Sequence, residues 1–137
     1  MPTPYSLLPI PSSLMSFPYT TVFVALADVE DGLLVPFYQH LLQQEPSIYM
    51  PNVYAEFQLT GLRLGIFKPK ESHQAEFDRG SSGSMSLCFE VKDLESAIDR
   101  LAAIGHPVTH SITIASHGRE VYAYDPAGNR LILHEAA

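Results

Sequence analysis

Residues 118–135 read GREVYAYDPAGNRLILHE: an alternating aromatic strand, a turn over Asp125-Pro126-Ala127-Gly128-Asn129, and a second alternating strand. Proline and glycine punctuate the turn, and Asp and Asn bond back to the local backbone, so a hairpin with strands near 119–124 and 130–135 is predicted. Upstream, Ser86–Asp93 (SLCFEVKD) alternates as a half-buried strand does. Asp93 then stands where an N-cap belongs, Leu94, Ile98 and Leu101 share a helical face, and Gly105 suits the left-handed residue after a helix end. A helix over 94–104 and a further strand near 107–114 complete the order βαβββ.

The first half says nearly the same thing. TVFVALAD, residues 21–28, lies in a strand predicted over 19–27. A helix follows, starting near Val35 so that Pro36 falls in its first turn, with a core stripe of Phe37, Tyr38, Leu41 and Leu42 and a stop at Pro46. Strands are expected over 48–59, with a break near Pro51, and over 62–68. Thr21 and Ser86 each stand seven residues before an acid, Asp28 or Asp93. Val-Tyr-Ala recurs at Val53 and Val121, a turn glycine at Gly61 and Gly128, and an arginine at Arg63 and Arg130. These matches predict that Thr21 corresponds to Ser86, Tyr54 to Tyr122, and Gly65 to Ile132. The expected class is α+β: two tandem βαβββ modules, 19–68 and 84–135, within one domain spanning 19–137. A duplicated unit points to a working site between its halves. The polar stretch KPKESHQAEFDRGSSGS, residues 68–84, is expected to be a flexible link, and proline-rich residues 1–18 an N-terminal arm.

With 137 residues, 46% of them hydrophobic, the chain can bury a core without disulfide or metal staples. Its formal charge of −7 repels phosphate backbones, so nucleic acid is not expected as a partner. Cys88 stands alone, which suits a reducing, cytoplasmic setting. No apolar run approaches the ~20 residues that span a bilayer, so no membrane partner is expected.

The strand-to-helix joint VKDLESAIDRLAAIG, the hairpin HGREVYAYDPAGNRLILHE, and the weaker VALAD, PFYQHLL and LRLGIF of the first half resemble the vicinal oxygen chelate superfamily, the group of glyoxalases, bleomycin-resistance proteins and extradiol dioxygenases. The resemblance implies modules whose mixed sheets curl around a shared cavity, often completed by a homodimer. It also implies, in metal-dependent members, a His or Gln early in each module's first strand and a Glu in each last strand. Here the corresponding residues are Thr21, Gly65, Ser86 and Ile132, none a competent ligand. No metal cofactor is therefore expected, although a displaced site using Glu90 and His134 is conceivable.

Strand parity names the side chains that share a face with those positions. They include Phe23, Arg63, Phe67, Cys88, Glu90 and His134, joined by Tyr54 and Tyr122 as hydrogen-bonding phenols. These residues are the candidate lining for a small organic ligand, with Glu90 and His134 the candidate acid or base. The plainer alternatives are that Phe23, Phe67, Cys88 and Ile132 belong to the core, and that Arg63 and Glu90 form a structural ion pair. His110 and His117 flank a β-rich segment whose loop residues could cover a cavity mouth. Two classes remain open: a metal-free binding module, or an enzyme of lyase, isomerase or dioxygenase type using displaced ligands or acid–base groups.

Overall fold

Asp93 caps the helix it precedes: its carboxylate accepts from the Ser96 amide at 3.1 Å, and Glu135 accepts from the Leu94 amide at 2.8 Å. Two of the amides that a helix start leaves orphaned are thereby satisfied. In the computed structural model, which describes residues 17–18, 20–29, 32–77 and 83–137, this helix lies in the second of two modules of like topology. The first comprises β1 (Val24–Ala27), α1 (Leu34–Leu42), β2 (Ile48–Met50), β3 (Tyr54–Leu59) and β4 (Leu62–Phe67). After a 3₁₀ turn at Glu71–His73 and the short α2 (Gln74–Phe77) come β5 (Ser86–Glu90), α3 (Leu94–Ala103), β6 (Thr113–Ala115), β7 (Gly118–Tyr124) and β8 (Arg130–Ala136). The sheets run β1-β4-β3-β2 and β5-β8-β7-β6. In each, the first and last strands pair in parallel and the rest antiparallel. The two-module α+β expectation holds.

One core serves both modules. Leu34, Phe37 and Tyr38 from α1 pack with Phe57, Leu64 and Ile66, and with Leu94, Leu101, Val121, Leu131 and Leu133 of the second module. Alternation along each strand puts these on one sheet face and leaves the other face to the remaining residues. The Phe37 ring also meets His106 edge-on, with centroids 4.9 Å apart. The hairpin turn is held by Asp125, whose Oδ1 accepts from the amides of Ala127 and Asn129.

Several expectations need correction. The first strand is short, because its ladder with β4 starts only at Val24. Helix α1 ends at Leu42, closed by Gln43 in the left-handed region (φ 51°), before Pro46 is reached. The second strand of the second module is confined to 113–115, and 107–112 is irregular. The link is partly helical, and Phe77 packs its ring against Phe67 at 5.1 Å between centroids. Its residues 78–82, and all but the last two of the proposed arm 1–18, lie outside the described residues.

The most consequential correction is one of register. Ala25 pairs with Gly65 where Cys88 pairs with Ile132, so Gly65 and Ile132 do correspond, but Ser86 corresponds to Phe23 and not to Thr21. Likewise Glu56 faces Gly65 where Tyr122 faces Ile132. Tyr122 therefore matches Glu56, and Tyr54 matches Glu120. The slip arises because Asp28 directly follows β1, bonding to the Phe67 carbonyl as Val91 bonds to that of His134, whereas Asp93 stands two residues farther along. Equal spacing to an acid did not mean equal position.

Candidate functional site

Each sheet turns three rungs of side chains away from the core. On the first sheet the ladder aligns Arg63 with Gln58, Ala25 with Gly65 and Glu56, and Ala27 with Phe67 and Tyr54. On the second, the matching rungs are Ser86, Arg130 and Tyr124; Cys88, Ile132 and Tyr122; and Glu90, His134 and Glu120. Phe23, Phe67, Cys88 and Ile132 thus lie on the open faces and do not join the core.

Glu56 organises the first face. It is only 7% exposed, and its carboxylate accepts from the Tyr54 hydroxyl at 2.7 Å and from Gln58 Nε2 at 2.8 Å. Arg63 Nε lies 3.7 Å from Glu56 Oε1, an ion pair too long to be a hydrogen bond, and that Nε is buried with no hydrogen-bond partner. The guanidinium meanwhile sits over the Phe23 ring, 4.3 Å from its centroid, in cation–π contact. Gly65 makes the arrangement possible, since a Cβ there would stand 2.8 Å from the Tyr54 hydroxyl and 3.3 Å from the Phe23 ring. Burial first, then the hydrogen bond to Glu56 and its charge, push the Tyr54 phenol above its usual range, against a smaller opposite effect from Arg63.

A chain of three groups runs across the second face. Glu90 lies 2.8 Å from His134 Nδ1, and His134 Nε2 lies 2.9 Å from His117 Nδ1. A carboxylate can only accept, so Nδ1 of His134 carries a proton; in neutral His134, Nε2 is left to accept from His117. The hydrogen bond to Glu90 raises the His134 pKa most; desolvation opposes it, and the charges of Glu90 and Glu120 assist. Nearby, Arg130 Nη1 donates to the Ser86 hydroxyl at 3.1 Å, and the His110 ring lies 5.5 Å from Tyr124 and 6.3 Å from Tyr122. Tyr122 and Tyr124 also line an open pocket of about 340 Å³ together with residues 105–109.

The structure therefore groups Phe23, Tyr54, Arg63 and Phe67 on one sheet, and Cys88, Glu90, Tyr122 and His134 on the other. Among the described residues no hydrogen bond, ion pair or ring contact joins one group to the other. The expected Arg63–Glu90 pair does not form: Arg63 faces Glu56, and Glu90 faces His134. Sequence reasoning missed Glu56 and Gln58, although their period of two with Tyr54 placed them on the face it had already chosen. His134 and Glu135 do point oppositely, Glu135 taking Arg119 on the helix side.

With the register corrected, the positions to test for a metal are Phe23, Gly65, Ser86 and Ile132. Three offer no donor atom, and the hydroxyl of the fourth faces a guanidinium that would repel a cation. The set does not fit a divalent ion. Asp93, Glu95 and Glu135 bring carboxylate oxygens within 4.8 Å of one another, but they are engaged in capping α3 and in pairing with Arg119.

Comparison with known proteins agrees with the fold. The model of the glyoxalase/bleomycin resistance protein/dioxygenase superfamily matches residues 25–133. A glyoxalase/bleomycin resistance protein from Catenulispora acidiphila superposes with a TM-score of 0.63 at 22% identity, covering 87% of this chain and 100% of its own. A lactoylglutathione lyase from Agrobacterium tumefaciens gives 0.60 at 25% identity, covering 85% and 95%. The fosfomycin resistance protein FosX from Listeria monocytogenes gives 0.64 at 17% identity, covering 88% and 96%. No curated protein matches the sequence.

Proposed function

The chain belongs to the glyoxalase/bleomycin resistance protein/dioxygenase superfamily, and from that premise we propose that it binds a small, partly apolar organic ligand without the family's catalytic metal site. The observation that carries this reading is the donor-poor set Phe23, Gly65, Ser86 and Ile132 at register-matched positions. In place of ligands, the first face offers an aromatic ring and the Arg63 fork, a combination suited to a guest with an apolar body and an anionic end. The binding member works in a reducing, cytoplasmic setting, as a homodimer, with neither nucleic acid nor membrane as partner.

Glu90, His134 and His117 favour a second reading, metal-free acid–base catalysis on the bound ligand. The fold alone does not choose between binding and turnover. Elemental analysis of dialysed protein, followed by a thermal-shift screen of small aromatic acids, tests the first reading. The expected result is substoichiometric metal and a ligand-dependent rise in Tm that Arg63→Gln weakens. Stoichiometric zinc, nickel, iron or manganese, lost in His134→Ala, would overturn it; mass-spectrometric conversion of a screened acid that stops in Glu90→Gln would favour the second.

A further inference from the structure

We infer that Arg130, with Ser86, is an oxyanion subsite on the second sheet, standing where a metal-dependent module would hold its cation. The inference rests on the small-molecule reading above and deepens it by naming the chemistry of the guest: a carboxylate or phosphate carried on a flat, aromatic body.

Internal symmetry is the first support. Arg63 and Arg130 occupy matching places on β4 and β8, two residues before Gly65 and Ile132. Each reaches across to the matching residue of its module's first strand, Arg63 to the Phe23 ring and Arg130 to the Ser86 hydroxyl. Both modules thus put a guanidinium beside a register-matched position that offers no competent metal ligand. A fixed positive charge there calls for an anion.

Charge accounting is the second support. The chain has fifteen acids against eight Lys and Arg. Arg63 has Glu56 and Arg119 has Glu95 and Glu135, whereas Arg100 and Arg130 enter no ion pair among the described residues; Arg100 is taken up by the His40 carbonyl, which leaves Arg130 with the least engaged guanidinium. Its one described side-chain bond is to a neutral hydroxyl, and it is half-buried. A guanidinium has five N–H donors in a planar fork matched to carboxylate or phosphate, so donors remain for a guest.

The surroundings define the rest of the guest. Tyr124 is the cross-strand neighbour of Arg130, Tyr122 lies one rung on, and His110 approaches both rings. Aromatic side chains beside a free fork suit a flat ring with one acidic substituent.

The test is an NMR titration of wild-type protein with benzoate, inorganic phosphate and benzamide, read at the amides of 86–88 and 130–132 and at the Arg130 Nε–H. Benzoate is expected to shift these signals saturably, with phosphate weaker because it lacks the ring and benzamide weaker because it lacks the charge. Arg130→Gln is expected to weaken benzoate by about tenfold or more at this subsite. Ser86→Ala, a milder change, serves as a second variant and should perturb the Arg130 Nε–H while the fold persists. Equal affinity of benzoate and benzamide would sink the oxyanion assignment yet keep the small-molecule reading. Saturation by neither anion at Arg130 would also overturn it, and failure of all three probes on both sheets would count against the broader reading as well.

Discussion

Tyr38 donates a 2.7 Å hydrogen bond to Asp125 Oδ2 inside the core, joining the first module's helix to the second module's last turn. Burial first, then the charge and hydrogen bond of Asp125, drive the phenol pKa far upward, so the proton stays on the tyrosine. The same carboxylate holds the turn through Ala127 and Asn129, which makes it a joint between local and tertiary structure.

Removing the hydroxyl in Tyr38→Phe should therefore destabilise the fold by about 1.5–3 kcal/mol, the range for a hydrogen bond to a charged group. Asp125→Ala should cost more, because it strips acceptors from the turn as well as from Tyr38. Urea denaturation of both variants checks the order. Should Tyr38→Phe prove as stable as wild type, the bond would not be what joins the modules.

Gly65→Ala tests the packing of the first face. The added methyl would press on the far end of the Tyr54 ring, which can swing away, so the cost should be moderate, about 1–2 kcal/mol. The local effect should be larger: Tyr54 would leave Glu56, and its raised phenol pKa would fall toward the ordinary value. An ultraviolet pH titration of the tyrosines reads this directly, and an unchanged Tyr54 titration would show that the glycine is not what seats the ring.

How the chain announces its fold, and where it misleads, follows from these same residues. Asp93, Gly105 and the Asp125–Asn129 turn act through neighbours close in sequence, so their positions alone reveal α3 and the last hairpin. Strand parity likewise needs only the period of two, and it placed Phe23, Arg63, Glu90 and His134 on open faces. Register between strands is different, because it depends on the length of intervening connections. A hydroxyl seven residues before an acid matched in both halves, yet the two ladders, superposed, bring Ser86 onto Phe23 and not onto Thr21. Partner choice is likewise nonlocal: nothing in the sequence said that Arg63 would take Glu56, a neighbour on the adjoining strand, in preference to Glu90.

His134 gives a pH prediction. Its folded pKa is raised, chiefly by Glu90, above an unfolded value of about 6.5. The folded state thus holds the proton more tightly, and the stabilisation is fully present below the unfolded pKa and fades as pH rises through the folded one. Glu90→Gln should lower the His134 midpoint and flatten that part of the stability profile. Histidine ring signals followed by NMR against pH decide it, and a midpoint unmoved by Glu90→Gln would assign the shift to another group.

The last prediction concerns a second copy of the chain. Strands β2 and β6 each form one edge of their sheet, and both are exposed along their length, with Ile48 43%, Tyr49 57%, Met50 47% and Ile114 79% accessible. Short apolar edges present unpaired backbone groups beside greasy side chains, and symmetric pairing is a common way for soluble chains to cover such edges. Light scattering should accordingly give twice the 15.2 kDa chain mass. Lysine at an edge opposes pairing by placing a charge where a partner would desolvate it, so Ile114→Lys or Tyr49→Lys should shift the equilibrium toward monomer while circular dichroism stays unchanged. A wild-type chain that remains monomeric at its highest soluble concentration would remove the dimer, and a dimer indifferent to both lysines would move the contact to another surface.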